Sequence, residues 1–267
     1  MISGASIARI EASTVWRAKR VETFDLPEGR VLVKGQRETR SPWAHRLLNA
    51  LAWMAGVSYM KAVPVHGEAR SQAIEIMRLR ALHGAGLPVP EVLHVAPDYF
   101  VMTYLGERDM ALTLREQGPQ AWGLWRSAME HLLQVHAQGQ YLSQCFARNI
   151  IVSDRFDGLI DFEDDPLEVM TLVEAQARDW LIYLQSTLFN LGTGPAQVDA
   201  ALRDLLGREL APVRAVLRHA AGRLGWLRWL PTNRKVWGKD FVSLQAVGAA
   251  LHRHFSSQAP GAITGDS

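Results

Sequence analysis

Two oxygen-bearing side chains, Asn149 and Asp161, are spaced so that they could bind one metal ion together. Asn149 opens a short β-prone run, and Asp161 follows the core of the next such run, twelve residues later. If the two runs form a hairpin, the amide oxygen and the carboxylate lie at one edge and face the same space. Magnesium prefers oxygen ligands and usually takes only one or two protein carboxylates besides substrate phosphates. The pair therefore predicts a site for Mg²⁺ and a nucleotide.

The motifs around this pair resemble the protein-kinase-like superfamily, in particular the small atypical bacterial kinases. That group includes lipopolysaccharide-core sugar kinases and kinases of tRNA-modification complexes. The resemblance covers nearly all of residues 14–190. The segments that carry it are Val31-Leu32-Val33-Lys34, Ala73-Ile74-Glu75-Ile76-Met77-Arg78-Leu79, Gly86-Leu87-Pro88-Val89-Pro90, Val101-Met102-Thr103-Tyr104-Leu105-Gly106, Asn149, Leu159-Ile160-Asp161-Phe162, and Ala177-Arg178-Asp179-Trp180.

The resemblance implies a role for each matching polar residue. In such kinases a strand lysine contacts the α and β phosphates of ATP and pairs with a helix glutamate, while an Asn and an Asp hold magnesium. Lys34 and Glu75 match the lysine and the glutamate if the residues between them contain an inserted helix. Asn149 and Asp161 match the metal ligands. ATP and Mg²⁺ are the implied cofactors.

Two further segments match structural features of these kinases. The backbone of the linker around Tyr104 and Leu105 would bind adenine. Asp179 resembles an aspartate that steadies the catalytic loop. The linker's backbone groups could accept either purine, so ATP and GTP both remain open.

The sequence departs from the kinase pattern at the catalytic base. Counting five residues back from Asn149 gives Gln144, where an Asp is expected, and an amide cannot act as a general base at neutral pH. Because phosphoryl transfer depends largely on positioning and electrostatics, Gln144 could still orient an acceptor hydroxyl. Asp164 or Asp165 could supply a base instead.

A second departure is that no glycine-rich G-x-G-x-x-G motif precedes Lys34. Only residues 3–6, Ser-Gly-Ala-Ser, offer a short flexible loop. Small atypical kinases often lack the glycine-rich loop.

The elements that must position these residues divide the chain into two parts. The sequence predicts a small β-rich N-lobe over residues 1–105, a larger helical C-lobe over residues 106–255 and a disordered tail over residues 256–267. The fold class is therefore α+β, with a two-lobe protein-kinase-like architecture. A hairpin is predicted over residues 14–34 around Pro27-Glu28-Gly29, and strands over residues 92–95 and 99–105. Helical patterns cover residues 42–60, 69–83, 120–138, 174–190, 197–206 and 211–224.

The composition of the chain limits which classes of protein and which partners it fits. The chain has 267 residues, of which 48% are hydrophobic and 21% charged, and these values are typical of a folded globular protein. The 29 Lys and Arg nearly balance the 27 Asp and Glu, so nucleic acid is a disfavoured partner. One cysteine, Cys145, predicts a reducing, cytoplasmic setting. No signal peptide or transmembrane run is recognisable; the longest uncharged stretch, residues 47–60, is too short to span a bilayer.

A basic segment at residues 213–239 carries tryptophans and no acidic residue. Its basic residues are Arg214, Arg218, Arg223, Arg228, Arg234, Lys235 and Lys239, and its tryptophans are Trp226, Trp229 and Trp237. Such a mixture suits the interface of an anionic membrane, where indole rings lie at the headgroup level. The residues around Trp53 and Tyr59 could add a second contact. Alternatively, the tryptophans pack inside the helical lobe and the arginines are solvated.

Three functions remain open at this point. The first is an atypical kinase that phosphorylates a hydroxyl of a sugar, glycolipid or protein, for example in lipopolysaccharide core biosynthesis on the inner face of the membrane. The second is a pseudokinase that binds nucleotide or acts as a scaffold without catalysis, because Gln144 replaces the base. The third is a peripheral membrane adaptor that uses residues 213–239.

The same residues could also have no role in function. In that case Lys34 and Glu75 are exposed, His136 is a packed structural residue, and the acidic residues from Asp161 to Glu168 form a solvated loop.

Overall fold

The computed structural model describes residues 2–36, 63–64, 67–229 and 239–257. The described chain is α+β, with a small antiparallel sheet, a separate hairpin and a mostly helical remainder. In chain order its elements are α1 (Gly4–Ala12), α2 (Val15–Lys19), β1 (Val21–Leu26), β2 (Gly29–Gly35), α3 (Glu68–Gly84), β3 (Val92–Val95), β4 (Tyr99–Thr103), α4 (Met110–Gln117), α5 (Trp122–Ala137), β5 (Ile150–Val152), β6 (Phe156–Leu159), α6 (Leu172–Leu191), α7 (Pro195–Arg208), α8 (Ala211–Leu224) and α9 (Lys239–Ser256). The helix predicted over residues 42–60 and most of the predicted tail lie outside the described residues.

The four-stranded sheet has the order β1-β2-β4-β3, with β2 paired on both sides. Because side chains alternate along a strand, Val31 and Val33 point to one face of β2 and Leu32 and Lys34 to the other. The first face packs on a small core that includes Ile10 of α1. The second face adjoins the main hydrophobic core, which is built around α5 and α6, and it carries Lys34 toward the helical part of the chain.

Helix α3 lies beside the sheet and confirms the helix predicted at residues 69–83. Its buried residues Leu79 and Leu82 belong to the main core, but the buried surface of the helix also carries Glu75. The helix stops where the backbone N–H of Leu87 donates to the Leu82 carbonyl at 3.1 Å, with Gly86 at a φ of 72°. A left-handed glycine at this point is a common way to end a helix.

The β5–β6 hairpin is held against the segment that follows α3. The Leu159 backbone N–H donates to the Pro88 carbonyl at 2.9 Å. Gly158 makes this approach feasible, because a Cβ there would lie 2.6 Å from the same carbonyl oxygen. The hairpin is therefore attached to the end of α3.

Most of the remaining chain is a helical core around α5 and α6. Trp125 and Trp180 are fully buried in it, and α6 begins at a capping box formed by Thr171 and Glu174. The predicted helices 120–138, 174–190, 197–206 and 211–224 are confirmed as α5, α6, α7 and α8. No helix among the described residues combines the length and the apolar character needed to cross a membrane.

Two predictions for the first twenty residues are wrong. Residues 3–6 are not a flexible loop, because Ser3 caps α1 by accepting the Ser6 backbone N–H at 3.3 Å. The first β-rich run of the predicted hairpin is helical in part: α2 covers Val15–Lys19, and β1 begins only at Val21. The five residues of α2 are too few to show helical periodicity, and their β-branched and aromatic members favoured a strand.

Candidate functional site

A cleft of about 270 Å³ lies between the sheet and the β5–β6 hairpin. Six of the residues predicted for the site line it: Lys34, Glu75, Tyr104, Leu105, Asn149 and Asp161. They come from β2, α3, the segment after β4 and the two ends of the hairpin. Side chains separated by up to 127 residues in sequence therefore share one cavity. The seventh predicted residue, Gln144, lies in the loop before Asn149 and contacts Asp164.

Lys34 is the most buried cation of the cleft, so the reading of it as an ordinary exposed lysine is wrong. Its Nζ lies 2.7 Å from Glu75 Oε1, 2.9 Å from Glu163 Oε1 and 3.3 Å from Asp161 Oδ1. Burial alone would lower the pKa of Lys34, but the three carboxylates outweigh it and raise that pKa. Lys34 therefore stays protonated at neutral pH. Glu75 is only 1% exposed, and Lys34 is its direct counter-charge.

Glu163 and Arg20 belong to this site, although sequence reasoning gave them no role in it. Glu163 pairs with both Lys34 and Arg20. Burial opposes ionisation of Glu163, yet the two cations lower its pKa to about 2. The two-residue spacing of Asp161 and Glu163 was a signal that could have identified Glu163, because Phe162 between them is buried. Nothing in the sequence marks Arg20.

Asn149 and Asp161, the predicted metal-binding pair, both line the cleft. Asn149 is buried, and its Nδ2 donates to the Gln144 carbonyl at 3.0 Å, so its amide oxygen is the atom suited to bind a cation. Asp161 has a φ of 72°, which is uncommon for a residue other than glycine. Two oxygen donors suit Mg²⁺ when phosphates supply further ligands. Among the described residues no group of three or more His, Cys, Asp or Glu is arranged to hold a metal by itself.

Gln144 is held by a carboxylate. Its Nε2 donates to Asp164 Oδ2 at 2.6 Å, so its side-chain oxygen is directed away from that contact. Burial raises the pKa of Asp164, against the opposing charge of Arg178. Asp165 differs, because it accepts from the Tyr141 hydroxyl at 2.7 Å and caps the turn that follows.

The acidic residues between Asp161 and Glu168 are not a solvated loop. Each has a partner among the described residues: Lys34 for Asp161, Lys34 and Arg20 for Glu163, Gln144 for Asp164, Tyr141 for Asp165 and Arg70 for Glu168. Through these contacts the segment that follows the hairpin is held against the surrounding elements.

A buried polar network supports the loop that carries Gln144. Asp179 Oδ2 accepts the Leu142 backbone N–H at 2.7 Å and lies 3.5 Å from His136 Nε2. His136 Nδ1 lies 2.7 Å from Glu209, which also accepts from Trp180 Nε1 at 2.6 Å. His136 is fully buried, as its interpretation as a packed structural residue requires. The loop is thus tied to the centre of the helical core.

The basic segment places two tryptophans at the surface. Trp226 is 58% exposed and Trp229 is 78% exposed, so the alternative in which these two pack inside the core is wrong. The Arg228 guanidinium lies over the Trp229 ring at 4.8 Å. Trp237, Arg234 and Lys235 lie outside the described residues, as do Trp53 and Tyr59.

Comparison with known proteins gives no family: no protein-family model matches the chain, and no curated protein matches it by sequence.

The pKa of His136 predicts how stability changes with pH. Burial alone would lower this pKa, but the contacts with the Asp179 and Glu209 carboxylates raise it above its usual value. A raised folded-state pKa contributes stability that is complete below the unfolded value, about 6.5, and is lost as pH rises through the folded value. We expect the free energy of unfolding of the wild type to fall from pH 6.5 upward relative to that of His136→Gln, as measured by urea denaturation.

The exposed His83 offers a matched control for this measurement. His83→Gln should follow the wild-type pH profile. If the difference in the free energy of unfolding between the wild type and His136→Gln stayed constant from pH 6 to 9, the expectation that folded His136 keeps its proton would be wrong.

Proposed function

We propose that the protein is an ATP-dependent phosphotransferase with a two-lobe protein-kinase-like fold. The observation that carries the proposal is the buried Lys34–Glu75 ion pair, which faces Asp161 within the same cleft. Burying a lysine and a glutamate costs free energy even when they pair, so a pair lining a cavity calls for a reason beyond stability. Holding a protonated lysine against a polyphosphate is such a reason.

The lining of the cleft includes polar and apolar residues, as binding the two parts of a nucleotide would require. Lys34, Asn149 and Asp161 would hold the phosphates and Mg²⁺. Leu32 and Met102 are among the apolar lining residues, next to Tyr104 and Leu105. A purine ring would bury its faces against these side chains and pair with the backbone of the 104–105 segment.

The acceptor hydroxyl would bind near Gln144 and Asp164. Gln144 would orient the hydroxyl by donating the second hydrogen of its Nε2 to the hydroxyl oxygen, since the first is engaged by Asp164, and the hydroxyl hydrogen would then face the Asp164 carboxylate. The hydroxyl oxygen would attack the γ-phosphorus as the bond to the ADP leaving oxygen breaks, and Asp164 would take the released proton. The raised pKa of Asp164 favours that transfer because it brings the carboxylate closer to the operating pH. The acceptor class is a hydroxyl of a sugar, a glycolipid or a protein.

Gln144 also favours a second candidate, a pseudokinase that binds nucleotide without transferring phosphate. A primary amide has no basic lone pair at neutral pH, so the aspartate that usually takes the proton is missing at this position. Both candidates predict nucleotide binding, and only turnover separates them.

Magnesium-dependent ATP binding is the first test. We expect titration calorimetry to detect ATP binding that requires Mg²⁺ and that weakens about tenfold or more in Lys34→Ala and Asp161→Asn, because each loses a charged contact. Asp154→Asn, in the exposed turn between β5 and β6, is the control and should bind like the wild type. Absence of binding at millimolar ATP would overturn the proposed function.

Turnover distinguishes the kinase from the pseudokinase. We expect transfer from γ-labelled ATP to a panel of sugars and lipid-linked saccharides, and a fall of about 100-fold in kcat for Asp164→Asn, the usual contribution of a general base. Asp165→Asn should retain most activity, because Asp165 contacts Tyr141 instead of Gln144. If the wild type is inert and Gln144→Asp creates transfer, the pseudokinase is the correct reading.

Exposed Trp226 and Trp229 favour a peripheral contact with an anionic membrane, which would suit a lipid-linked acceptor. We expect the protein to sediment with phosphatidylglycerol vesicles, and the double variant Trp226→Ala/Trp229→Ala to bind roughly tenfold more weakly, since it loses two indole rings. Asp161→Asn is the control and should sediment like the wild type. Equal sedimentation of the double variant would remove this contact from the proposal.

A further inference from the structure

Arg20 is fixed at the edge of the cleft by its own backbone and side chain. It ends α2 with a φ of 70°, and its carbonyl accepts the Gly35 backbone N–H at 2.7 Å. Its Nε donates to the Gly35 carbonyl at 3.3 Å. Gly35 directly follows Lys34, so these contacts keep the Arg20 guanidinium beside the Lys34 ammonium, and both line the cleft.

The two cations share a single carboxylate oxygen. Glu163 Oε1 lies 2.9 Å from Lys34 Nζ, and the same atom contacts Arg20. Arginine binds carboxylate and phosphate with the same planar set of donors, so a site shaped for one oxyanion also suits the other. The Glu163 carboxylate therefore has the contacts that a phosphate oxygen would have at this position.

The local charges show why Glu163 would have to move when phosphate binds. Lys34 and Arg20 contribute two positive charges, and Glu75, Asp161 and Glu163 contribute three negative charges, which leaves one net negative charge. A polyphosphate would meet this negative charge while Glu163 remains on the cations. Replacing Glu163 by phosphate leaves both cations paired and frees the carboxylate.

We propose that Arg20 is a second phosphate-binding residue of the cleft, and that Glu163 occupies the phosphate position until the nucleotide displaces it. This inference rests on the proposed nucleotide binding and names the residues that would recognise its polyphosphate. The sequence has no glycine-rich loop before Lys34, and Arg20 supplies side-chain donors where such a loop would supply backbone amides.

Calorimetry with Mg-ATP and with adenosine tests the inference. Arg20→Ala should weaken Mg-ATP binding about tenfold or more and leave adenosine binding unchanged, because only the triphosphate reaches Arg20. Glu163→Gln should strengthen Mg-ATP binding several-fold, because an amide of the same shape no longer competes as an anion. Lys19→Ala removes an exposed positive charge one residue away and should bind like the wild type.

The possible results separate this inference from the proposed function. If Arg20→Ala binds Mg-ATP as tightly as Lys19→Ala does, or if it weakens ATP and adenosine binding equally, then Arg20 does not bind phosphate. The proposed function is unaffected by either result. Weaker Mg-ATP binding in Glu163→Gln overturns displacement, since Glu163 would then be needed in the complex. A wild type that binds no Mg-ATP overturns the proposed function and this inference with it. If Arg20→Ala does not fold, Arg20→Lys and Glu163→Gln decide the matter.

Discussion

The buried ion pair between Lys34 and Glu75 is the constraint on which the rest of the site depends. Removing one partner of such a pair typically costs ~3–5 kcal/mol, because the remaining charge is left without compensation inside the protein. The pair therefore requires β2 to keep its position in the sheet and α3 to stay packed beside it. It also sets where the cleft opens, since Lys34 can face Asp161 and Glu163 only from that side of β2.

A second buried network has the same function on the helical side of the cleft. His136 and Asp179 connect the loop of Gln144 to α5 and α6, and Glu209 closes the network beyond α7. The loop is irregular in shape, with Ser143 at a φ of 66°. Such a loop keeps one conformation only when its surroundings over-determine it. The two networks together hold Lys34 and Gln144 at fixed positions.

Lys34 and Glu75 were singled out because the sequence resembles the kinase pattern, and local signals agreed with it. Lys34 ends a β-prone run, and Glu75 lies in a helix with clear boundaries. Arg20 and Glu163 were missed because their contact joins positions 143 residues apart, and only Glu163 has a local signal, its two-residue spacing from Asp161. The hydrogen bond between Gln144 and Asp164 was missed for a similar reason: it depends on how the hairpin packs against the loop.

The attachment of the β5–β6 hairpin to the end of α3 couples the positions of Glu75 and Asp161. Glu75 is on α3 and Asp161 follows the hairpin, and the Pro88–Leu159 hydrogen bond joins the two elements across the Gly158 contact. A swing of α3 that separated Glu75 from Lys34 would pull on the strand that precedes Asp161. A rotation of this helix would thus disturb both halves of the site at once.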